Sequence, residues 1–157
     1  MDLCWRNTIQ RGDVITIMTY PWTTVSTDQY AFDHSKVDTL KAASALSMQH
    51  PRGWGTYPKI LGKYIREEKV LPIEEAIRKM TSLPAQFLGL QDRGLVKEGF
   101  WADLVVFNPK EASHLSTYGN PQRPPEGLPY VLVNGEIAIE GGKPTGALAG
   151  KTLRLNH

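Results

Sequence analysis

Apolar residues recur with a helical period through the middle of the chain. Tyr57, Ile60, Leu61, Tyr64 and Ile65 fall at the i, i+3, i+4, i+7, i+8 spacing of one helix face, which predicts an amphipathic helix starting near Tyr57. Pro58 is expected in its first turn, where a missing N–H costs little. Ile73, Ala76, Ile77 and Met80 form a second stripe and predict a helix over 73–81. Glu74 and Glu75 suit its N-terminal dipole end, Arg78 and Lys79 its C-terminal end. "SLPAQFLGL" reads as a third, short helix with Ser82 as cap and Gly89 as stop. Residues 35–48 read as a further helix, where Ser35 and Asp38 resemble a capping box and the apolar face is made of small residues.

Elsewhere the pattern changes to β. Residues 13–27, "DVITIMTYPWTTVST", are rich in β-branched side chains. Propensity predicts a strand at 14–20 and, beyond Pro21, a second at Thr23–Thr27 with Asp28 at its end. Leu104 to Phe107 is a continuous apolar strand closed by Asn108 and Pro109. Residues 109–129 carry five prolines and read as a surface loop. "YVLVNGEIAIEGG" predicts a hairpin, because Asn134-Gly135 suits a two-residue type I′ turn. Helices therefore fill the middle and β structure the end, with a boundary near residue 100.

Size and charge narrow the class. The chain has 157 residues, enough for one domain with a core. A complete eight-stranded α/β barrel needs roughly 200 residues or more. The apolar fraction of 41% suits a globular protein, and the net charge of +2 is scattered, with no basic stripe for nucleic acid. No apolar run approaches the ~20 residues that span a bilayer, and Asp2 with no apolar core after it argues against a secretory signal. The single cysteine, Cys4, forms no internal disulfide, which fits a cytoplasmic location.

Two places offer chemistry. Asp28, at the end of an expected strand, suits the catalytic mouth of an α/β fold and equally suits a turn or cap. His50-Pro51-Arg52 stands on a glycine-flanked turn before the Tyr57 helix. Arginine can hold a carboxylate through two parallel hydrogen bonds; a solvated loop arginine beside a capping histidine is the other reading. The histidines His34, His50, His114 and His157 have no metal-ligand spacing among themselves or with Cys4.

From about residue 13 onward the chain resembles the C-terminal third of the N-acyl-D-amino-acid deacylases of the amidohydrolase superfamily. The resemblance rests on "HPRGWGTYPKILGKYIREEKV", "IEEAIRKMTSLPAQFLGLQDRGLVKEGFWADLVVFNP" and "PEGLPYVLVNGEIAIEGGKPTGALAGKTLR". It implies an α/β plus β fold. Residues 1–100 would be the C-terminal end of a (β/α)8 barrel and residues 101–157 the C-terminal strands of a small β-sandwich. "DVITIM" would then end the seventh helix, and this reading is preferred to the strand because tertiary context overrides a β-branched bias. "TTVSTD" would be the eighth barrel strand.

The implied reaction is hydrolysis of an N-acyl-D-amino acid, a small-molecule substrate. Zinc would polarise the carbonyl and acidify a bound water, while Asp28 moves the proton. Asp28 would be the catalytic aspartate and a contact to a second metal. Arg52 would hold the substrate's α-carboxylate, with His50 as an additional substrate-side group. The main zinc ligands are expected in an N-terminal part absent from this chain. The chain is thus expected to be a fragment that is inactive alone and that self-associates or pairs with the missing portion. Two features depart from the family pattern. Ser26-Thr27-Asp28-Gln29 replaces glycine-serine-aspartate-glycine, and 21 residues separate Asp28 from His50, including the 35–48 helix. A non-catalytic assembly chain, or a dihydroorotase-like or dipeptidase-like amidohydrolase, are the alternatives.

Overall fold

The computed structural model describes residues 10–29 and 50–154. The helix expected at 35–48 lies outside them. Four α-helices precede a four-stranded sheet among the described residues. Helix α1, Arg11–Thr19, occupies the segment that propensity reads as strand. Gln10 N–H donates to Asp13 Oδ2 at 2.9 Å in a capping box, and the Thr16 hydroxyl bonds back to Gly12 O. Local capping and hydroxyl satisfaction thus offset the β-branched bias.

Helix α2, Arg52–Lys59, starts five residues earlier than the stripe suggests. Pro51 stands at its N-cap position, and Trp54 and Gly55 N–H groups both donate to Pro51 O. The expected turn before the helix is therefore its first turn. Gly53 and Gly55 hide it from a propensity reading, and both are there for space. A Cβ at Gly55 would lie 2.2 Å from Ser116 Oγ, and one at Gly53 2.8 Å from the Gln29 side chain. Pro58 consequently sits in the helix interior, not its first turn. Without an N–H it cannot extend the α ladder, and the helix continues from Ile60 to Glu67 with π-type bonding.

Helix α3 spans Ile73–Met80 and α4 spans Ser82–Phe87. Thr81, not Ser82, holds the N-cap position of α4, and the Thr81 hydroxyl donates instead to Ile77 O at 2.8 Å. Gly89 ends the turn at φ +72°, as its position after the last helical residues requires. Ile60, Ile65 and Ala76 form the buried centre, with Met18, Val25, Tyr64 and Met80 packed on it. Tyr57, at the start of the predicted stripe, is exposed.

The strands β1 (Leu104–Val106), β2 (Tyr130–Val133), β3 (Glu136–Glu140) and β4 (Lys143–Pro144) pair antiparallel in sequence order. Asn134 and Gly135 have φ +50° and +88°, the two left-handed residues of a type I′ turn. Asp103 and Arg93 pin that turn. Asn134 N–H donates to Asp103 Oδ1 at 2.7 Å, and Arg93 donates both to Asp103 and to Asn134 Oδ1. Residues 23–28, expected as a strand, join no ladder among the described residues. Val25 N–H instead donates to Lys79 O, and a lone segment without strand neighbours has no ladder to enter. No helix of the described residues is long and apolar enough to cross a membrane.

Candidate functional site

Asp28 and Arg52 meet. Arg52 Nη1 lies 3.1 Å from Asp28 Oδ2, so the two groups singled out in sequence form one ion pair. Asp28 sits in the left-handed region at φ +48°, which aspartate tolerates better than most residues, and its N–H approaches Ser26 Oγ. Its side chain is 87% exposed, so the carboxylate is open to a ligand. Arg52 is half-buried at the start of α2, and its Nε is buried without a partner among the described residues.

His50 works on the backbone of that turn. Arg52 N–H donates to His50 Nδ1 at 3.1 Å, which requires that nitrogen to be unprotonated. On the far side of the ring, Nε2 lies 3.3 Å from the Tyr118 hydroxyl, and the two rings meet edge-on. Burial holds the His50 pKa below the ordinary histidine value, and the charges of Arg52 and Lys59 add to that. The histidine therefore fixes the helix start and, through it, the direction of the guanidinium.

Sequence reasoning missed how the Asp28 segment is held. Lys79, read as a dipole-end lysine, is 2% exposed. Its Nζ donates to Tyr20 O, to Thr23 O at 3.2 Å and to Thr23 Oγ1 at 3.3 Å, with Glu75 3.8 Å away. Arg78 Nη2 adds a bond to Pro21 O at 2.9 Å. The C-terminal end of α3 thus grips residues 20–25, the approach to Asp28. Burial lowers the Lys79 pKa while Glu75 opposes the shift. The signal in sequence was a lysine on the margin of an apolar stripe; its partners lie 56 to 59 residues earlier and could not be read. Lys79→Met should release that segment. Hydrogen exchange at the Thr23 and Val25 amides is expected to speed up about tenfold or more, with hairpin 130–140 unchanged, because removing the donor leaves its acceptors to water.

A metal centre is not built by these residues. Among the described residues no group of three or more histidine, cysteine, aspartate or glutamate side chains converges. Asp28 can offer one carboxylate oxygen toward a metal held by other groups, its Oδ2 being taken by Arg52.

An exposed carboxylate and an arginine thus form one ion pair in the segment ahead of the antiparallel sheet. The chain belongs to the amidohydrolase family, whose model matches residues 21–139. It is 37% identical over 145 residues to an N-acyl-D-aspartate deacylase of Alcaligenes xylosoxydans xylosoxydans, covering 92% of this chain and 26% of that protein. A D-aminoacylase structure described by its binuclear metal centre superposes with a TM-score of 0.78 at 34% identity, covering 90% of this chain and 27% of the other. An N-acyl-D-glutamate deacylase of Bordetella bronchiseptica, solved with zinc and a phosphonate mimic of the tetrahedral intermediate, gives 0.71 at 30% identity, covering 90% and 28%. The chain therefore spans about a quarter of the length of these relatives.

Proposed function

We propose that this chain supplies the proton-transfer and carboxylate-binding groups of a metal-dependent amidohydrolase that cleaves N-acyl-D-amino acids to a D-amino acid and a carboxylate. In this reading residues 1–100 close a (β/α)8 barrel and residues 101–157 contribute strands to a β-sandwich. The names of the similar proteins support the substrate class, and the Asp28–Arg52 pair carries the chemistry.

Each residue has a defined task. Water adds to the amide carbonyl as Asp28 takes its proton. The C–N bond then breaks, and Asp28 returns the proton to the departing amine. Arg52 holds the α-carboxylate, and His50 holds Arg52. The metal, when bound, polarises the carbonyl and activates water; its main ligands would come from outside the described residues, with Asp28 able to add one carboxylate oxygen. Arg52 contacts Asp28 and the substrate carboxylate through one planar fork, which ties the position of the scissile bond to that of the base.

The reading is tested on the intact gene product by comparing an N-acyl-D-amino acid with its methyl ester. Removing the substrate charge should weaken binding about tenfold or more in the wild type. In Arg52→Met the acid and the ester should bind alike. Equal binding of both by the wild type would remove Arg52 from this role.

A further inference from the structure

The N–H of Arg52 opens α2 and is one of the donors that a helix leaves without an internal partner. His50 supplies the acceptor. Arg52 N–H donates to Nδ1 across Pro51 at 3.1 Å, the two-residue spacing of an Asx-turn. The one proton of the neutral ring is then on Nε2, which lies 3.3 Å from the Tyr118 hydroxyl. Pro51 is held separately, its carbonyl accepting from Ser116 Oγ and from the Trp54 and Gly55 N–H groups. The ring is thus occupied on both sides, and its proton count decides whether the Arg52 N–H has a partner.

We propose that His50 is a proton-sensitive positioning residue for Arg52: the neutral ring holds the first N–H of α2, a proton on Nδ1 expels it, and the site grips a carboxylate at neutral pH and releases it in acid. A protonated ring carries hydrogen on both nitrogens, so no rotation of the ring restores the bond. An N–H facing an N–H is repulsive, and the start of α2, which carries the guanidinium, moves away from it. Among the described residues, the charged and titratable groups around the ring are Arg52 and Lys59 on α2 and His114 and Tyr118 on the 114–118 loop, with Asp28 beyond Arg52. The cavity between α2 and that loop has no carboxylate in its wall to favour the charged ring. Burial, and then the charges of Arg52 and Lys59, lower the His50 pKa. The contact is therefore complete above the ordinary histidine value of about 6.5 and is lost as the pH falls through the lower value held here. The link to substrate binding rests on the Arg52 reading above; the titrating contact does not.

The contact is tested in the 157-residue chain by NMR of the ring nitrogens and the Arg52 amide, from about pH 8 to about pH 5. His50→Asn assigns the ring and is the non-titrating control, because the asparagine oxygen accepts the same N–H in an Asx-turn. The Arg52 amide should follow the His50 titration in the wild type and stay still in His50→Asn. An Arg52 amide that ignores the His50 titration overturns the proposal. Binding is tested on the intact gene product with N-acetyl-D-glutamate. Below the His50 transition the wild-type KM should rise about tenfold per pH unit relative to His50→Asn, the slope of a single proton, while the ratio of their kcat values stays constant. His50→Ala, with no acceptor, should bind weakly across the whole range. If the Arg52 amide follows the titration and the two KM profiles coincide, the contact stands and it is the Arg52 reading that fails.

Discussion

Asp28→Asn in the intact gene product should reduce turnover by about two to four orders of magnitude, the usual contribution of a positioned acid–base group. Asparagine fills the same space and can still accept a hydrogen bond from Arg52 through its amide oxygen. It cannot take a proton from water. Binding should therefore persist, so the loss falls on kcat with KM nearly constant. Removing the charge beside Arg52 also frees the guanidinium, whose nearest carboxylate is Asp28 at 3.1 Å, so affinity for a carboxylate ligand should not fall. Near-normal turnover in Asp28→Asn would take Asp28 out of the reaction.

Arg52→Lys should act on the other parameter. Lysine keeps one charge and loses the planar, two-point geometry that matches a carboxylate. On the proposed reading Arg52 also bridges the base and the ligand, so its loss leaves the reacting bond less well placed. We expect KM to rise about tenfold or more, a cost of about 1.4 kcal/mol or more in binding, with a smaller fall in kcat. Steady-state kinetics on matched preparations checks this. A drop confined to kcat would mean that Arg52 acts on the transition state alone.

Part of this site was legible in the sequence for local reasons. Asn134-Gly135 announced its hairpin because few other pairs adopt two successive left-handed conformations cheaply, and the structure gives both residues positive φ. The Ile73–Met80 helix was legible because its stripe and end charges agree. Arg52 could be named from its motif, but its place in the first turn of a helix could not. Gly53 and Gly55 argue against a helix until Ser116 and Gln29 are seen packed on them.

Residues 14–20 mislead propensity for the opposite reason, their β-branched side chains being overruled by capping and packing, and the helix there was legible only through the family resemblance. Lys79 and the Asp28–Arg52 contact depend on partners far along the chain, and a periodicity reading carries no information about them.

The central claim is that these residues serve hydrolysis of N-acyl-D-amino acids. Its most direct test is release of free amino acid by the intact gene product, supplied with zinc, from the two enantiomers of N-acetylglutamate. The account predicts release of D-glutamate, lost in Asp28→Asn, and at least a hundredfold less release from the L enantiomer. On the proposed reading the α-carboxylate is held on Arg52, and inverting the centre swings the scissile amide away from Asp28. No release from the D enantiomer, or equal release from both, would contradict it.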